Sequence, residues 1–509
     1  MIDLKGKPFN LSNEDIKWVE NTLSELDFEE KIGQLFCLLG KNPDQEAVEM
    51  VETVKAGGIM FRPALGSELQ KVQRELQNKS KVPLLLAANL ERGGSGAAID
   101  GTNYATQMGV AATDDEEMAY KLGLIAGREG RAVGCNWAFA PVIDIDFNCQ
   151  NPITNTRTYG SDPERVLRMA KAYMKGLHEN GLAVSIKHWP GDGVDGRDQH
   201  LVTSVNTLSC EEWDQTYGKV YQGMIEAGAR TVMSAHIMQP AYSRKFKPGI
   251  EDEEIMPATL APELNNQLLR EQLGFNGLIV TDATVMAGFT AVMKRKKAVP
   301  YSITAGCDMF LFTADLEEDL CFMKEGVEEG ILSMERLDEA VTRILALKAS
   351  LKLHKQKKEG TLVPGEDALQ VLKCAEHERW AKECADKAVT LVRDKQQLLP
   401  LNPEKEKRVL VYIKGDVGGY MDQGGGVSSY FIDLMKKEGF EITIHDYSEV
   451  HENDLQNPPS YYTARYDLIL YFASLKTASN QTVVRLNWGQ PMGFDVPKYV
   501  EDIPTLFIS

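Results

Sequence analysis

Eight short apolar runs punctuate the first 350 residues, and they are continuous rather than alternating. They cover 32–40 (IGQLFCLLG), 56–64 (AGGIMFRPA), 83–91 (PLLLAANLE), 134–145 (GCNWAFAPVIDI), 183–192 (AVSIKHWPGD), 229–237 (ARTVMSAHI), 277–284 (GLIVTDAT) and 305–314 (AGCDMFLFTA). A strand with one wet face alternates apolar and polar residues, whereas a parallel strand covered on both faces is apolar throughout. Amphipathic helical patterns lie between most of the runs, at 67–79, 114–131, 161–180 and 261–273. The third opens on Ser161-Asp162-Pro163-Glu164, a cap followed by proline in the first turn. Eight strand–helix units in about 320 residues predict an α/β chain closed as a (β/α)8 TIM-type barrel over 1–351. A doubly wound open sheet shares this periodicity and is the rival architecture.

Beyond the barrel, 352–370 (KLHKQKKEGTLVPGEDALQ) is polar and broken by Gly360, Pro364 and Gly365. It reads as a linker, followed by a helix at 371–389, so that 352–400 joins two domains. The α/β pattern then resumes with strands at 408–415, 441–447 and 466–474 and a helix at 429–439. The last residues, PTLFIS, read as a further strand with no helix to cover it. The expectation is a smaller, partial α/β sandwich domain over 401–509, cut short at its end.

The 56 Lys and Arg are outnumbered by 74 Asp and Glu, a net charge of −18. Such a surface repels phosphate, which argues against nucleic acid or an anionic membrane as partner. The N-terminal MIDLKGKPFNLSNEDIKWVE lacks the apolar stretch of a signal peptide, and no window approaches a membrane span. The 8 cysteines form no CxxC pair. Free thiols in a reducing, cytoplasmic compartment are expected, with no zinc site. Oligomeric state is not legible.

In a barrel of this kind the chemistry sits at the C-terminal strand ends. The polar residues there are Asn89, Glu91, Asp144, Asp146, Lys187, His188, His236 and Asp282. Asp282 interrupts the apolar GLIVTDATVM, and an unpaired buried carboxylate costs several kcal/mol. It is either the N-cap of the next helix or a nucleophile or base. The densest stretch is KHWPGDGVDGRDQH at 187–200, a glycine-rich loop ending with Asp198 and His200. A carboxylate beside an imidazole orients the ring and favours its charged form, as a proton shuttle needs. The same pair could merely brace a loop. Arg157, in the turn-rich NPITNTRTYG, is either a surface arginine or a fork donor to hydroxyls or an anion. Metal ligation by His188 and His236 lacks a supporting spacing. Gly93, Gly94 and Gly96 match no nucleotide fingerprint. No metal or organic cofactor is expected.

Taken in order, NWAFAPVIDI, NPITNTRTYGSDPERV, SIKHWPGDGVDGRDQH, VMSAHI, MPATLAPELNNQLLREQLGFNGLIVTDATVM and KAVTLVRDKQQLLPL resemble family 3 glycoside hydrolases. The loop ending in Asp-x-His is similar to that of the β-N-acetylhexosaminidase branch, some members of which are phosphorylases. The resemblance implies a retaining double displacement, with Asp282 as nucleophile and His200, held by Asp198, as acid/base. It also implies that Asn89, Arg157, Lys187 and His188 grip the terminal sugar. The expected function is an exo-β-N-acetylglucosaminidase acting on cell-wall or chitin-derived oligosaccharides. A phosphorylase and a non-catalytic sugar-binding protein are the alternatives. Two positions depart from the branch: it has an acid where Asn89 stands and histidine where Asp192 stands, which bears on sugar preference.

Overall fold

A computed structural model describes residues 2–416, 426–447, 456–475, 479, 486–489 and 493–509. The chain divides into two units, Met1–Val389 and Thr390–Ser509. In the first, each apolar run contributes one strand: β1 Phe36–Gly40, β2 Gly58–Phe61, β3 Leu85–Ala88, β4 Trp137–Ala138, β5 Ala183–Trp189, β6 Thr231–Ser234, β7 Leu278–Thr281 and β8 Phe310–Leu311. They run parallel in the order β8-β1-β2-β3-β4-β5-β6-β7. The ends of that row meet, because Thr281 N–H donates to Met309 O at 3.0 Å and Met309 N–H to Ile279 O at 3.2 Å. A doubly wound sheet would keep two free edges, so the nearly closed barrel excludes it.

The strands are shorter than the runs for local reasons. The run at 32–40 loses its first residues to a helix, Phe28–Gln34, because Asp27 and Glu30 form a reciprocal capping box in front of it. The long run 134–145 forms a strand only at Trp137–Ala138, Val142 makes a single further bridge to Lys187, and Asp144 and Ile145 continue as buried loop. The helix expected at 161–180 spans Pro163–Glu179, and its cap is Asp162 rather than Ser161. Every residue of β5 is buried, including Lys187 and His188. The β5–β6 register shifts between Ile186 and Trp189, lifting Lys187 and His188 out of the regular ladder. Such irregularities re-aim side chains at barrel rims.

The stretch expected as a linker is a fastened strap. Helix Leu353–Glu359 buries Leu353 and His354, His354 stacks on Trp18, and Lys352 pairs with Asp15 at 2.6 Å. Gln70, Arg74 and Arg131 donate to the carbonyls of Gly365, Pro364 and Leu362. Many of its polar side chains are exposed, while its carbonyls are held by barrel side chains. Helix Ala375–Ala388 follows and seats His377 on the buried Glu129, Nδ1 to Oε1 2.6 Å.

The second unit holds parallel strands β9 Arg408–Gly415, β10 Glu441–Ile444, β11 Leu468–Ser474 and β12 Thr505–Ile508, in the order β10-β9-β11-β12. Alternate residues feed two cores. Val409, Val411, Leu468 and Leu470 pack with Ile432 of helix Val427–Lys437. Leu410, Tyr412, Ile469 and Tyr471 pack on the other face. This is the smaller α/β domain. Among the described residues no helix is long and apolar enough to cross a membrane.

Candidate active site

The expected residues gather at the C-terminal strand ends of the barrel. Glu91, three residues past β3, is the organising charge. Its carboxylate accepts Arg157 Nε at 2.9 Å and Nη2 at 2.7 Å, and Lys187 Nζ lies 2.7 Å away. Burial pushes the Glu91 carboxyl up, but Arg157 and Lys187 outweigh it and hold the group well below the usual carboxylate range. Burial lowers Lys187, only partly offset by Glu91, and Arg157 is held above its ordinary value by Glu91 against burial. Two cations on one carboxylate leave a net positive, hydrogen-bonding floor suited to hydroxyl groups. Asn89 lies exposed just past β3 and takes no part in these ion pairs. Glu91, two residues on, is the carboxylate that meets Arg157 and Lys187.

His188 is fixed by Asp144: its N–H donates to Oδ1 at 3.0 Å and its Nδ1 sits 2.6 Å from Oδ2. Asp144 also accepts the Asp192 N–H at 2.8 Å. Gly193 follows with φ +103°, and a Cβ there would lie 2.0 Å from Ile145 O, so only glycine lets the β5 loop lie against the buried loop after β4.

Asp282 follows β7, and its own Oδ1 accepts the Ala283 N–H at 2.7 Å. It caps no helix, since the next one begins at Ala287 behind Met286. Burial raises its pKa, but the charges of His188, His236 and His200 and the Ala283 amide prevail and hold it below the ordinary value. The charged carboxylate is thus the favoured form of Asp282. His236 is locked beside it, Nε2 3.0 Å from Ala283 O and Nδ1 3.0 Å from Thr259 Oγ1. Both its ring nitrogens are engaged by protein oxygens, and among the described residues no group of three His, Cys, Asp or Glu is placed to hold a metal.

The Asp198–His200 pair is formed as a dyad. Asp198 Oδ1 lies 2.7 Å from His200 Nδ1 and accepts the His200 N–H at 2.8 Å. Asp198 is buried, while the His200 side chain stays 32% exposed and open to a ligand. The dyad loop is docked on the segment after Asp282. Ala287 N–H donates to His200 O at 3.1 Å and Gly288 N–H to Gln199 O at 3.0 Å. Gln199 Oε1 also accepts the His236 N–H at 2.9 Å. Glycines 93, 94 and 96 serve packing: a Cβ on Gly94 would strike Glu129.

A barrel whose mouth gathers Asp282, the Asp198–His200 pair and two cations on Glu91 has the polar lining of an enzyme's active site. The sequence matches the family model described as glycosyl hydrolase family 3 N terminal domain over residues 27–347. The chain belongs to glycosyl hydrolase family 3. It is 47% identical over 512 residues to a β-N-acetylglucosaminidase/β-glucosidase of Cellulomonas fimi, covering 100% of this chain and 90% of that one. Among solved structures, β-glucoside phosphorylase BglX bound to 2FGlc superposes with a TM-score of 0.92 at 47% identity, covering 99% of this chain and 89% of that chain. A family 3 β-N-acetylglucosaminidase from Paenibacillus sp. str. FPU-7 superposes with a TM-score of 0.75 at 25% identity, covering 88% and 85%.

Proposed function

We propose that this glycosidase is a retaining exo-β-N-acetylglucosaminidase that releases terminal N-acetylglucosamine from cell-wall or chitin-derived oligosaccharides. The observation that carries the reading is the dyad docked by two backbone hydrogen bonds onto the segment that follows Asp282. Asp282 attacks C1 and forms a glycosyl ester as the bond from C1 to the leaving oxygen breaks. The electron pair on that oxygen takes the proton from Nε2 of the His200 imidazolium, since Nδ1 is committed to Asp198. Neutral His200 then takes a proton from the incoming water, whose oxygen bonds to C1 and returns Asp282 as carboxylate. Arg157, Lys187 and His188 grip the sugar hydroxyls, held by Glu91 and Asp144, and Asn89 offers a further polar contact at the rim.

Phosphorolysis is the second reading, favoured by the likeness to a protein named a β-glucoside phosphorylase. A neutral imidazole does not repel phosphate as a carboxylate base would. The Cellulomonas fimi relative's double name keeps both glucosides and N-acetylglucosaminides in view as substrates. One assay separates these readings. Aryl N-acetyl-β-glucosaminide and aryl β-glucoside are turned over with and without phosphate, and the products are examined for sugar 1-phosphate. A 2-fluoro sugar should label Asp282, and Asp282→Asn should abolish turnover in a folded protein. Label on another carboxylate ends the nucleophile assignment, and no turnover under any condition leaves a sugar-binding protein.

A further inference from the structure

We propose that Asn151 is a positioning residue that couples the sugar grip to the acid/base dyad. The inference rests on the catalytic reading above and concerns a residue with no direct chemical role in it. Asn151 is 1% exposed, and its side-chain amide is fully engaged. Oδ1 accepts the N–H groups of Ile153 at 2.8 Å and Thr154 at 2.9 Å. Nδ2 donates to Asp192 Oδ1 and to Asp195 O, both at 2.8 Å. The two halves of one amide therefore hold two different loops.

The accepting half shapes the turn that delivers Arg157. Thr154 begins the tight turn in which Arg157 N–H donates to Thr154 O at 2.6 Å. From there the guanidinium forks onto Glu91. The donating half holds the stretch 192–195 between His188 and the dyad. Asp192 is tied by its N–H to Asp144, the same carboxylate that orients His188. Asp195 in turn takes the Val205 N–H at 2.8 Å and the Arg197 guanidinium, fastening the loop on either side of Asp198 and His200. A shift at Asn151 is thus passed to the sugar floor in one direction and to the proton donor in the other. A buried amide with every donor and acceptor used is rigid, because any displacement strands polar groups.

The two halves can be cut separately. Asn151→Asp keeps the acceptor for Ile153 and Thr154 but turns an oxygen toward Asp192 and Asp195 O. It should cost affinity for free sugar less than Asn151→Ala does, because the turn that delivers Arg157 is kept. It should lower kcat/KM on a poor leaving group about tenfold more than on a dinitrophenyl glycoside, since misplacing a reacting group by about 1 Å costs up to about 10²-fold. Asn151→Ala cuts both halves and should add about a tenfold loss of affinity for N-acetylglucosamine, read by calorimetry. Rates are taken per titrated active site, so partial unfolding does not imitate either effect. Parent-like leaving-group ratio and sugar affinity in both variants, with only a lower Tm, would overturn the proposal. If Asn151→Ala does not fold, Asn151→Asp decides on its leaving-group ratio alone. If His200→Ala itself treats both leaving groups alike, the acid/base assignment fails, and the tether stands or falls on the sugar affinity of Asn151→Ala.

Discussion

Two single residues make the sharpest predictions. An activated aryl leaving group scarcely needs a proton, whereas a sugar alcohol does. His200→Ala should therefore keep most of its first-step rate on a dinitrophenyl glycoside and lose about 10²–10⁴-fold on a disaccharide. Steady-state and burst kinetics on the two substrates check this, and equal losses would reduce the dyad to a loop brace. Asp192 makes a stability prediction. Its carboxyl is pushed up to about 7 by burial and by Asp144 beside it, against the pull of His188, and its Oδ2 has no hydrogen-bond partner among the described residues. The folded chain thus holds this proton more tightly than the unfolded chain. The stability it contributes is present at acid pH and is lost as pH rises from the ordinary 3.8 through about 7. Asp192→Asn cannot ionise, so its Tm should gain on the parent's steadily between pH 5 and pH 8 as measured by thermal melts. Parallel Tm curves would remove Asp192 as the source.

At the scale of elements, the strands matter less for the chemistry than how their loops are joined. Gly288 is where the β5 and β7 loops press together: a Cβ there would lie 2.8 Å from both Gln199 O and His236 Cβ. Gly288→Ala should force the dyad loop away from Asp282. The expected outcome is a fall in kcat/KM of about 10²-fold with a small change in Tm, because near-attack geometry is far more sensitive to displacement than burial is. Kinetics paired with calorimetry on the same preparation check it. A large Tm loss with parent-like kinetics would show that the contact serves the fold alone. The strand runs were readable because burial on both faces leaves an unbroken apolar signature, but their ends were not. Within 134–145 only Trp137–Ala138 forms a strand, with one isolated bridge from Val142 to Lys187, since hydrogen bonding to neighbours, not hydropathy, decides where a ladder stops.

For the whole molecule, the segment 389–393 between the units carries no regular structure and is exposed, Val392 at 91%. Limited proteolysis should cut first within about 389–399, ahead of the fastened strap at 352–388, with fragments assigned by mass. Early cuts in the strap would contradict its packing. The barrel, a buried aspartate in need of a partner or a task, and the closeness of Asp198 to His200 were legible in the sequence for physical reasons, while the catalytic roles given to them came from the resemblance. Parallel strands need continuous apolar runs, a buried aspartate in one demands a purpose, and Asp-x-His places a carboxylate beside a ring within a single turn. What the sequence left open were pairings across long separations. Glu91 meets Arg157 from another loop and Lys187 from β5, His188 finds Asp144 44 residues away, and Asn151 joins turns that no local pattern connects. The strap at 352–370 was misread for the same reason, since its carbonyls are satisfied by side chains nearly 300 residues earlier, such as Gln70 and Arg74. Periodicity reports which face of an element is buried. Closure of the barrel alone decides which strand ends converge, and therefore which charges share a site.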